Sequence, residues 1–473
     1  MPAVSCEVLG PGDAEVAVDA SAVYFYRHGW HSWSPAGWVD RRDAPRPVQP
    51  AWRRPQADDP VHAERPLHGS SGVGALRGVD GSVVLLGALG LGGRVEADPA
   101  GLRGTCEGEA VAWLVARGDE VAVFEAYAQA LGERLGRGSR RCGSVWCSWY
   151  AWYADIGETR LLEVLDGLRD VPVDVFQVDD GWQANQGDWL AGRAFPSGMP
   201  AMARRIRDTG RVAGIWMAPF IARPDSALLT HHPDWVLRDG AGEPVAAARH
   251  DGIPWCALDT TRPDVEAWLA ERVLELRSWG YDYLKLDYLY AAALPGCRYV
   301  DMPREAAYRR ALEVMRRAAG DAYLLACGAP IIATLGLADG LRVGPDVAPL
   351  WDNPDRTDLL NDPTGPGGLN ALRTSVHRLW LSSLVQVDPD VAYFRTRYSL
   401  LSDTQKRLLA DLGRVCGFRG TSDPPAWLDH HELAAMRDFV GRTPEVRRLG
   451  RYRFEVDGRE VDFEDAATGL WVR

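Results

Sequence analysis

Hydrophobic and polar residues follow one rhythm up to about residue 140 and another beyond it. In the first stretch, short runs alternate apolar and polar and are broken by Gly and Pro, as in AEVAVDASAVYFYR, GSVVLLGALGLGG and EAVAWLVARGDEVAVFEAYA. Alternation places every second side chain on one face of a strand, so this part predicts the short strands of a β-sandwich. From Ser144 onward, short apolar runs alternate with stretches of helical spacing. The runs SVWCSWY (144–150), VDVFQVDD (173–180), VAGIWMAP (212–219), YDYLKLD (281–287), YLLACGA (323–329), GLRVGPD (340–346), LVQVD (384–388) and GFRGTSD (417–423) predict eight strands. Between them, ETRLLEVLDGL, MARRIRDTG, PDVEAWLAERVLELRSWG, PREAAYRRALEVMRRAAG, NALRTSVHRLWL and TQKRLLADLGRVCG predict helices, and HHELAAMRDFVG predicts one more after the last strand. The tail from about 445 alternates again around an Asp-Gly pair, the signature of a β-hairpin.

Eight strands with intervening helices over roughly 300 residues predict an α/β fold of the (β/α)8 TIM-barrel type. An open doubly wound sheet is the alternative, weakened by the lack of a glycine-rich loop after the first strand. The chain thus divides into an N-terminal β-sandwich domain (1–140), a catalytic barrel (141–443) and a small C-terminal β element (444–473).

With 473 residues, 46 % hydrophobic and 25 % charged, the chain can bury a large core without metal or disulfide staples. A net charge of −12 makes it a poor partner for nucleic acid or anionic membranes. No run is long enough to span a membrane, and the first residues lack a secretory pattern. The eight cysteines form no CxxC or zinc spacing, so reduced thiols in a cytoplasmic protein are the simplest reading. The histidines show no HExxH. The pairs His231–His232 and His430–His431 read as helix-end or loop residues rather than ligands, so no metal is expected.

Candidate chemistry collects where a barrel would put it, at the C-terminal ends of the strands. Strand two ends in Asp179 and Asp180, strand four in Asp287, strand six in Asp346 and strand seven in Asp388. A single Asp after a strand is equally well a helix cap or turn former; several at one end of successive strands point to a site. On strand four, Tyr283, Lys285 and Asp287 share a face. Basic residues here are almost all arginine, with lysines only at 285 and 406, so Lys285 invites a specific reason: an ammonium beside Asp287 that keeps it ionised as a nucleophile. The bland reading is a supporting buried ion pair, which rarely adds net stability. On strand six, Arg342 and Asp346 share a face, with Gly344 leaving space between them. Arg342 lowers the proton affinity of Asp346, whereas repulsion from Asp287 and desolvation by substrate raise it. Trp149 on strand one and Trp216 on strand three are candidate pocket walls, with Trp182, Asp188 and Trp189 close by. Nineteen tryptophans favour a ligand with apolar C–H faces, such as a sugar. Trp30, Trp33 and Trp38 in RHGWHSWSPAGWV are either sandwich anchors or an aromatic surface for a ligand.

The segments SVWCSWY, VFQVDDGWQANQGDW, GIWMAPF, HPDWVL, YLKLDYLY, CGAP and GLRVGPD, with the early WHSWS, resemble in order and spacing the α-galactosidases of glycoside hydrolase family 36, most closely its compact bacterial members. The resemblance implies that Asp287 is the nucleophile and Asp346 the acid/base. It implies that Lys285 and Arg342 contact substrate hydroxyls, that Asp179 and Asp180 bind the 4- and 6-hydroxyls of galactose, and that Trp216 walls the pocket. It further implies that Cys327 and Gly328 lie near the 2-hydroxyl, and that Trp33 reaches the site from the N-terminal domain. The expected reaction is retaining hydrolysis of terminal α-linked galactose from oligosaccharides by double displacement, without cofactor, with the two carboxyl groups about 5–5.5 Å apart. The N-terminal sandwich and C-terminal module are shorter than is usual in that family. Transfer to another sugar, α-N-acetylgalactosaminidase activity, a non-catalytic sugar-binding role and an aldolase using Lys285 remain alternatives. The natural leaving group and the oligomeric state stay open.

Overall fold

The computed structural model describes residues 4–468 except 20, 46–48, 66, 139, 251 and 353–361. Its centre is a curled sheet of nine parallel strands. In spatial order they are Gln386–Asp388, Gly340–Arg342, Tyr323–Ala326, Tyr283–Leu286, Val212–Met217, Val175–Val178, Ser144–Cys147, Arg419–Thr421 and Val391–Ala392. Each of the eight predicted apolar runs contains one of these strands. The strands are shorter than the runs, which overhang them at one or both ends. Nearly every residue in them is buried, the pattern of a parallel sheet covered on both faces. The two edge strands are consecutive in the chain. Residues 386–388 pair with 340–342, and 391–392 pair with 419–421, so Pro389 and Asp390 form the seam.

The helices fall where helical spacing predicts them: Glu158–Gly167, Met199–Arg207, Pro263–Trp279, Arg304–Ala319, Gly368–His377, Asp403–Cys416 and His430–Gly441. His231 ends a short helix and His232 caps it, while His430 and His431 open the last of these helices. Two small sheets go beyond the sequence reading. Gln183–Asn185 pairs with Asp188–Ala191 after the second strand. Ile221–Ala222, Ala246–His250 and Ile253–Ala257 form a three-stranded sheet after the third.

Residues before the curled sheet form two antiparallel sheets of six and four strands. A core cluster draws on both, with Phe25, Leu76, Leu86, Trp113 and Val115 from the larger sheet and Val16, Val95 and Leu102 from the smaller. The segment EAVAWLVARGDEVAVFEAYA is not strand throughout. Trp113–Gly118 is a strand, but Glu120–Leu135 is a helix. Asp119 caps it by accepting hydrogen bonds from the amides of Val121 and Ala122, and Val123, Phe124, Tyr127, Ala128 and Leu131 form one buried helical face. That periodicity outweighs the local alternation. At the C-terminal end, Arg453–Val456 and Arg459–Asp462 pair around Asp457 and Gly458, both at positive φ, as the Asp-Gly turn predicts. Val446–Arg448 adds a third strand. Among the described residues no helix is long and apolar enough to cross a membrane.

Candidate active site

Lys285 and Asp287 leave strand four at the C-terminal rim, but they do not pair with each other as expected. The Lys285 ammonium lies 2.9 Å from Oδ2 of Asp179, which follows strand two. Both side chains are buried. Burial alone would strip the proton from Lys285, but Asp179 overrides it and holds the ammonium charged well above its usual range. Gln177 also donates to Oδ2 of Asp179, as does the Cys147 thiol at 3.3 Å. Asp179 and Lys285 thus form a fixed polar floor.

Asp287 is held by N–H donors on both oxygens. The Trp216 indole donates to Oδ2 at 3.0 Å, and the Tyr288 amide donates to Oδ1 at 2.7 Å. The first contact follows from register, since Trp216 lies opposite Lys285 on the neighbouring strand. The second follows from the left-handed backbone of Tyr288 (φ 53°), a strained conformation for an aromatic residue directly after a candidate nucleophile. The Tyr288 hydroxyl is 3.0 Å from Nε2 of His250.

Asp346 and Arg342 do pair, at 3.1 Å, but the guanidinium is shared. Its Nε lies 2.8 Å from Asp388, and the nitrogen that meets Asp346 lies 3.0 Å from Asp390. The Asp346 carboxyl is pushed up to about 7, first by burial and then by the Asp390 charge, against the pull of Arg342 and Lys285; repulsion from Asp287 comes after these. The side chain nevertheless keeps 34 % of its surface accessible, so it sits in a recess enclosed by protein mass but open on one side. Gly344 does not act as a spacer between Arg342 and Asp346. A Cβ there would meet Ser375 Oγ at 2.8 Å and the Ala371 carbonyl at 2.9 Å, so the glycine permits close packing of helix 368–377.

Asp180 is half-buried, and burial raises its carboxyl to about 6, against a hydrogen bond from Gln183 at 2.5 Å. Trp33 arrives from the N-terminal sheets. Its ring meets Tyr288 edge-on at 5.2 Å. Its loop is stitched down by the Ser32 amide on the Ala329 carbonyl (3.1 Å) and by the Ala329 amide on the Ser32 hydroxyl (3.0 Å). Gly328, at φ 55°, lets Trp33 and Tyr288 approach; a Cβ there would lie 3.1 Å from the Tyr288 nitrogen and 3.3 Å from the Trp33 ring. Cys327 is buried beside them. Burial raises its thiol and the Tyr288 phenol, and the charges of Asp287 and Asp346 raise both further. Asp287 and Asp346 thus both lie near enough to Cys327 and Tyr288 to act on them electrostatically.

Other expected residues lie elsewhere. Trp149 is not on strand one but opens a short helix, Trp149–Trp152, just after it. Trp182 and Trp189 are buried supports, the former donating to the Trp216 carbonyl at 2.8 Å. Asp188 accepts from the amides of Ala227 and Leu228 at the start of a helix. Trp30 and Trp38 are anchors, bonded to Glu305 and Glu120. Asp390 escaped the sequence reading. It is buried, has φ 79°, and receives the Tyr150 hydroxyl and the Val347 amide (2.9 Å) on the oxygen that faces Arg342. The signal was present in QVDPD, where Asp388 and Asp390 stand two residues apart on one edge of the seam. Among the described residues no group of three or more His, Cys, Asp or Glu side chains is placed to hold a metal ion.

The family model described as Melibiase matches residues 139–318. The α-galactosidase TtGalA from Thermus thermophilus, solved with p-nitrophenyl α-D-galactopyranoside, is 50 % identical and superposes with a TM-score of 0.92, covering 98 % of this chain and 99 % of that one. α-Galactosidase AgaA of Geobacillus stearothermophilus is 28 % identical over 210 residues, 41 % of this chain and 28 % of its own length. A Flavonifractor plautii protein, the A type blood α-D-galactosamine galactosaminidase, is 29 % identical over 164 residues, 15 % of its length. The chain therefore aligns with less than a third of these two curated relatives. Half-identity to the Thermus structure over nearly its full length, together with the family-model match, places this chain in the melibiase family, among the GH36 α-galactosidases.

Proposed function

We propose that the chain hydrolyses terminal α-linked galactose with retention of configuration. Asp287 attacks the anomeric carbon while Asp346 protonates the glycosidic oxygen. A covalent galactosyl-enzyme forms through an oxocarbenium-like transition state, and Asp346 then takes a proton from the attacking water. The observation that carries this reading is the contrast between the two carboxyls. Asp346 is pushed up to about 7, so near neutral pH it can still hold a proton to give. Asp287 is oriented through both oxygens by N–H donors. Asp179, Asp180, Lys285 and Arg342 supply the charged partners that sugar hydroxyls need, and Trp33, Trp216 and Trp149 supply apolar faces.

The two edge strands that are consecutive in the chain support reading the curled sheet as a closed (β/α)8 barrel over 141–443. The two-sheet core supports reading 1–140 as a β-sandwich, with 444–473 as the small C-terminal element. A cytoplasmic location suits the eight free thiols.

The test is a panel of aryl α-glycosides of galactose, N-acetylgalactosamine and glucose, followed by NMR of the released sugar. The expected result is α-galactose appearing first, lost in Asp287→Asn. Preference for the N-acetylated sugar, or β-configured first product, would overturn the assignment.

A further inference from the structure

Three loops leave the C-terminal rim side by side, after strands one, eight and seven. They carry an aromatic series of which only Trp149 enters the sugar recognition proposed above. From the first come Trp149, Trp152 and Tyr153, from the eighth Trp427, and from the seventh Tyr398. The rings form two edge-to-face groups, one of Tyr398, Trp427 and Trp152 and one of Trp149 and Tyr153. Tyr398 meets Trp427 at 5.0 Å between centroids, Trp427 meets Trp152 at 5.2 Å, and Trp149 meets Tyr153 at 5.3 Å, all edge to face. Guanidinium groups lie over them, Arg160 on Trp152 and Arg397 on Tyr398, at 5.2 and 4.9 Å.

Two details set this series apart from ordinary surface aromatics. Tyr153 and Tyr398 are 48 % and 61 % exposed. Both also adopt positive φ (54° and 57°), which is uncommon for bulky residues and costs free energy. The short helix under Tyr153 is also tied to the acid/base. Tyr150, in the turn between Trp149 and Trp152, donates to Asp390, which shares the Arg342 guanidinium with Asp346. The group that protonates a glycosidic oxygen stands on the leaving-group side of the sugar, so this series begins beside the departing half of the substrate.

We propose that Trp152, Tyr153, Tyr398 and Trp427 form a stacking platform for the leaving-group sugars of an extended α-galactoside, two or more pyranose or furanose rings beyond the scissile bond. Apolar ring faces stack on the aromatics, while Arg160 and Arg397 offer donors to hydroxyls. This inference rests on the α-galactosidase reading, because it needs the leaving group to pass Asp346.

The experiment compares kcat/KM for the tetrasaccharide stachyose, whose leaving group is a trisaccharide, with that for methyl α-galactoside, whose leaving group is methanol. Wild type is set against Tyr398→Asn and Tyr153→Asn; asparagine tolerates positive φ, so the backbone is kept while the ring is removed. Each variant is expected to lower the stachyose-to-methyl ratio by about 3–10-fold, mainly through KM, the worth of one aromatic contact. A ratio within twofold of wild type in both variants overturns the platform while leaving the hydrolase intact. Equal losses on both substrates overturn it too. A wild type that cleaves neither substrate refutes the α-galactosidase reading, and the platform with it.

Discussion

Replacing Asp390 by Asn removes one negative charge from the neighbourhood of Asp346 and changes little else. Asparagine has the same shape and accepts the left-handed backbone at this position. Arg342 keeps Asp388 as a partner. The size of the effect follows from the shared guanidinium. One Arg342 nitrogen lies 3.1 Å from Asp346 and 3.0 Å from Asp390, so the two carboxylate oxygens are at most about 6 Å apart. Two unit charges at ~6 Å with an effective dielectric constant of ~20 repel by roughly 3 kcal/mol, or about two units of proton affinity. A third of the Asp346 side chain is wet, and screening there cuts the expected shift to about one unit.

Burial raises the Asp390 carboxyl as well, with Arg342 and the Tyr150 hydroxyl pulling it back. Tyr150, the Val347 amide and Arg342 all reach one Asp390 oxygen, so the proton the two acids compete for belongs on Asp346. A general acid works only while protonated, so its activity is lost as pH rises through its pKa. In wild type this alkaline fall in kcat/KM is expected near pH 7, given a carboxyl at about 7. In Asp390→Asn it moves about one unit lower, and the released Arg342 adds to the shift in the same sense. The assay should follow galactose release from melibiose, because a sugar alcoholate leaves only with proton donation, whereas nitrophenolate barely needs it. An alkaline limb that stays in place or moves upward would refute the coupling of Asp390 to Asp346.

Two further outcomes follow from the site. Trp216→Phe deletes the indole donor on Asp287; a hydrogen bond to a charged group is worth about 1.5–3 kcal/mol, so kcat should drop about 10–100-fold by steady-state kinetics, while the volume lost at this buried position also lowers the melting temperature read by differential scanning fluorimetry. Lys285→Met leaves the Asp179 carboxylate buried without its cation; the expected loss of about 3–5 kcal/mol of stability should appear as a clear fall in the denaturation midpoint, and a midpoint equal to wild type would show that Asp179 is not held by that pair.

The strands were legible because a buried parallel sheet writes uninterrupted apolar runs into the chain, and five of the eight runs here end in an aspartate at the rim. The positions of Asp179, Asp180, Asp287 and Asp346 followed from that rule. Their partners did not, because alternation on one strand says which residues share a face but not which neighbour lies across the next ladder. Lys285 reads as the companion of Asp287, two residues away, yet Asp179, from strand two, is its partner. Gly344 shows the same limit: its missing side chain serves a helix packed from outside the sheet. Asp390 was missed because the apolar run ends at Asp388, and an Asp just after Pro389 reads as a turn former. The helix at 120–135 was obscured by local alternation, although Asp119 and the spacing of Val123, Tyr127 and Leu131 could have given it away.

Arg378 is fully buried without a carboxylate at hydrogen-bond distance among the described residues. Its guanidinium is instead received by four carbonyls, those of Gly29, His31 and Ser32 in the tryptophan-bearing loop and that of Val343 beside strand six. Burial drags its proton affinity down to about 10, so those carbonyl dipoles are what make the charge tolerable. A gene trimmed to begin at residue 141 would remove three of those four carbonyls and leave the cation only that of Val343. Chimeras grafting a foreign amino-terminal module onto these strands must therefore bring an equivalent row of carbonyl oxygens, or replace the arginine with something that carries no charge.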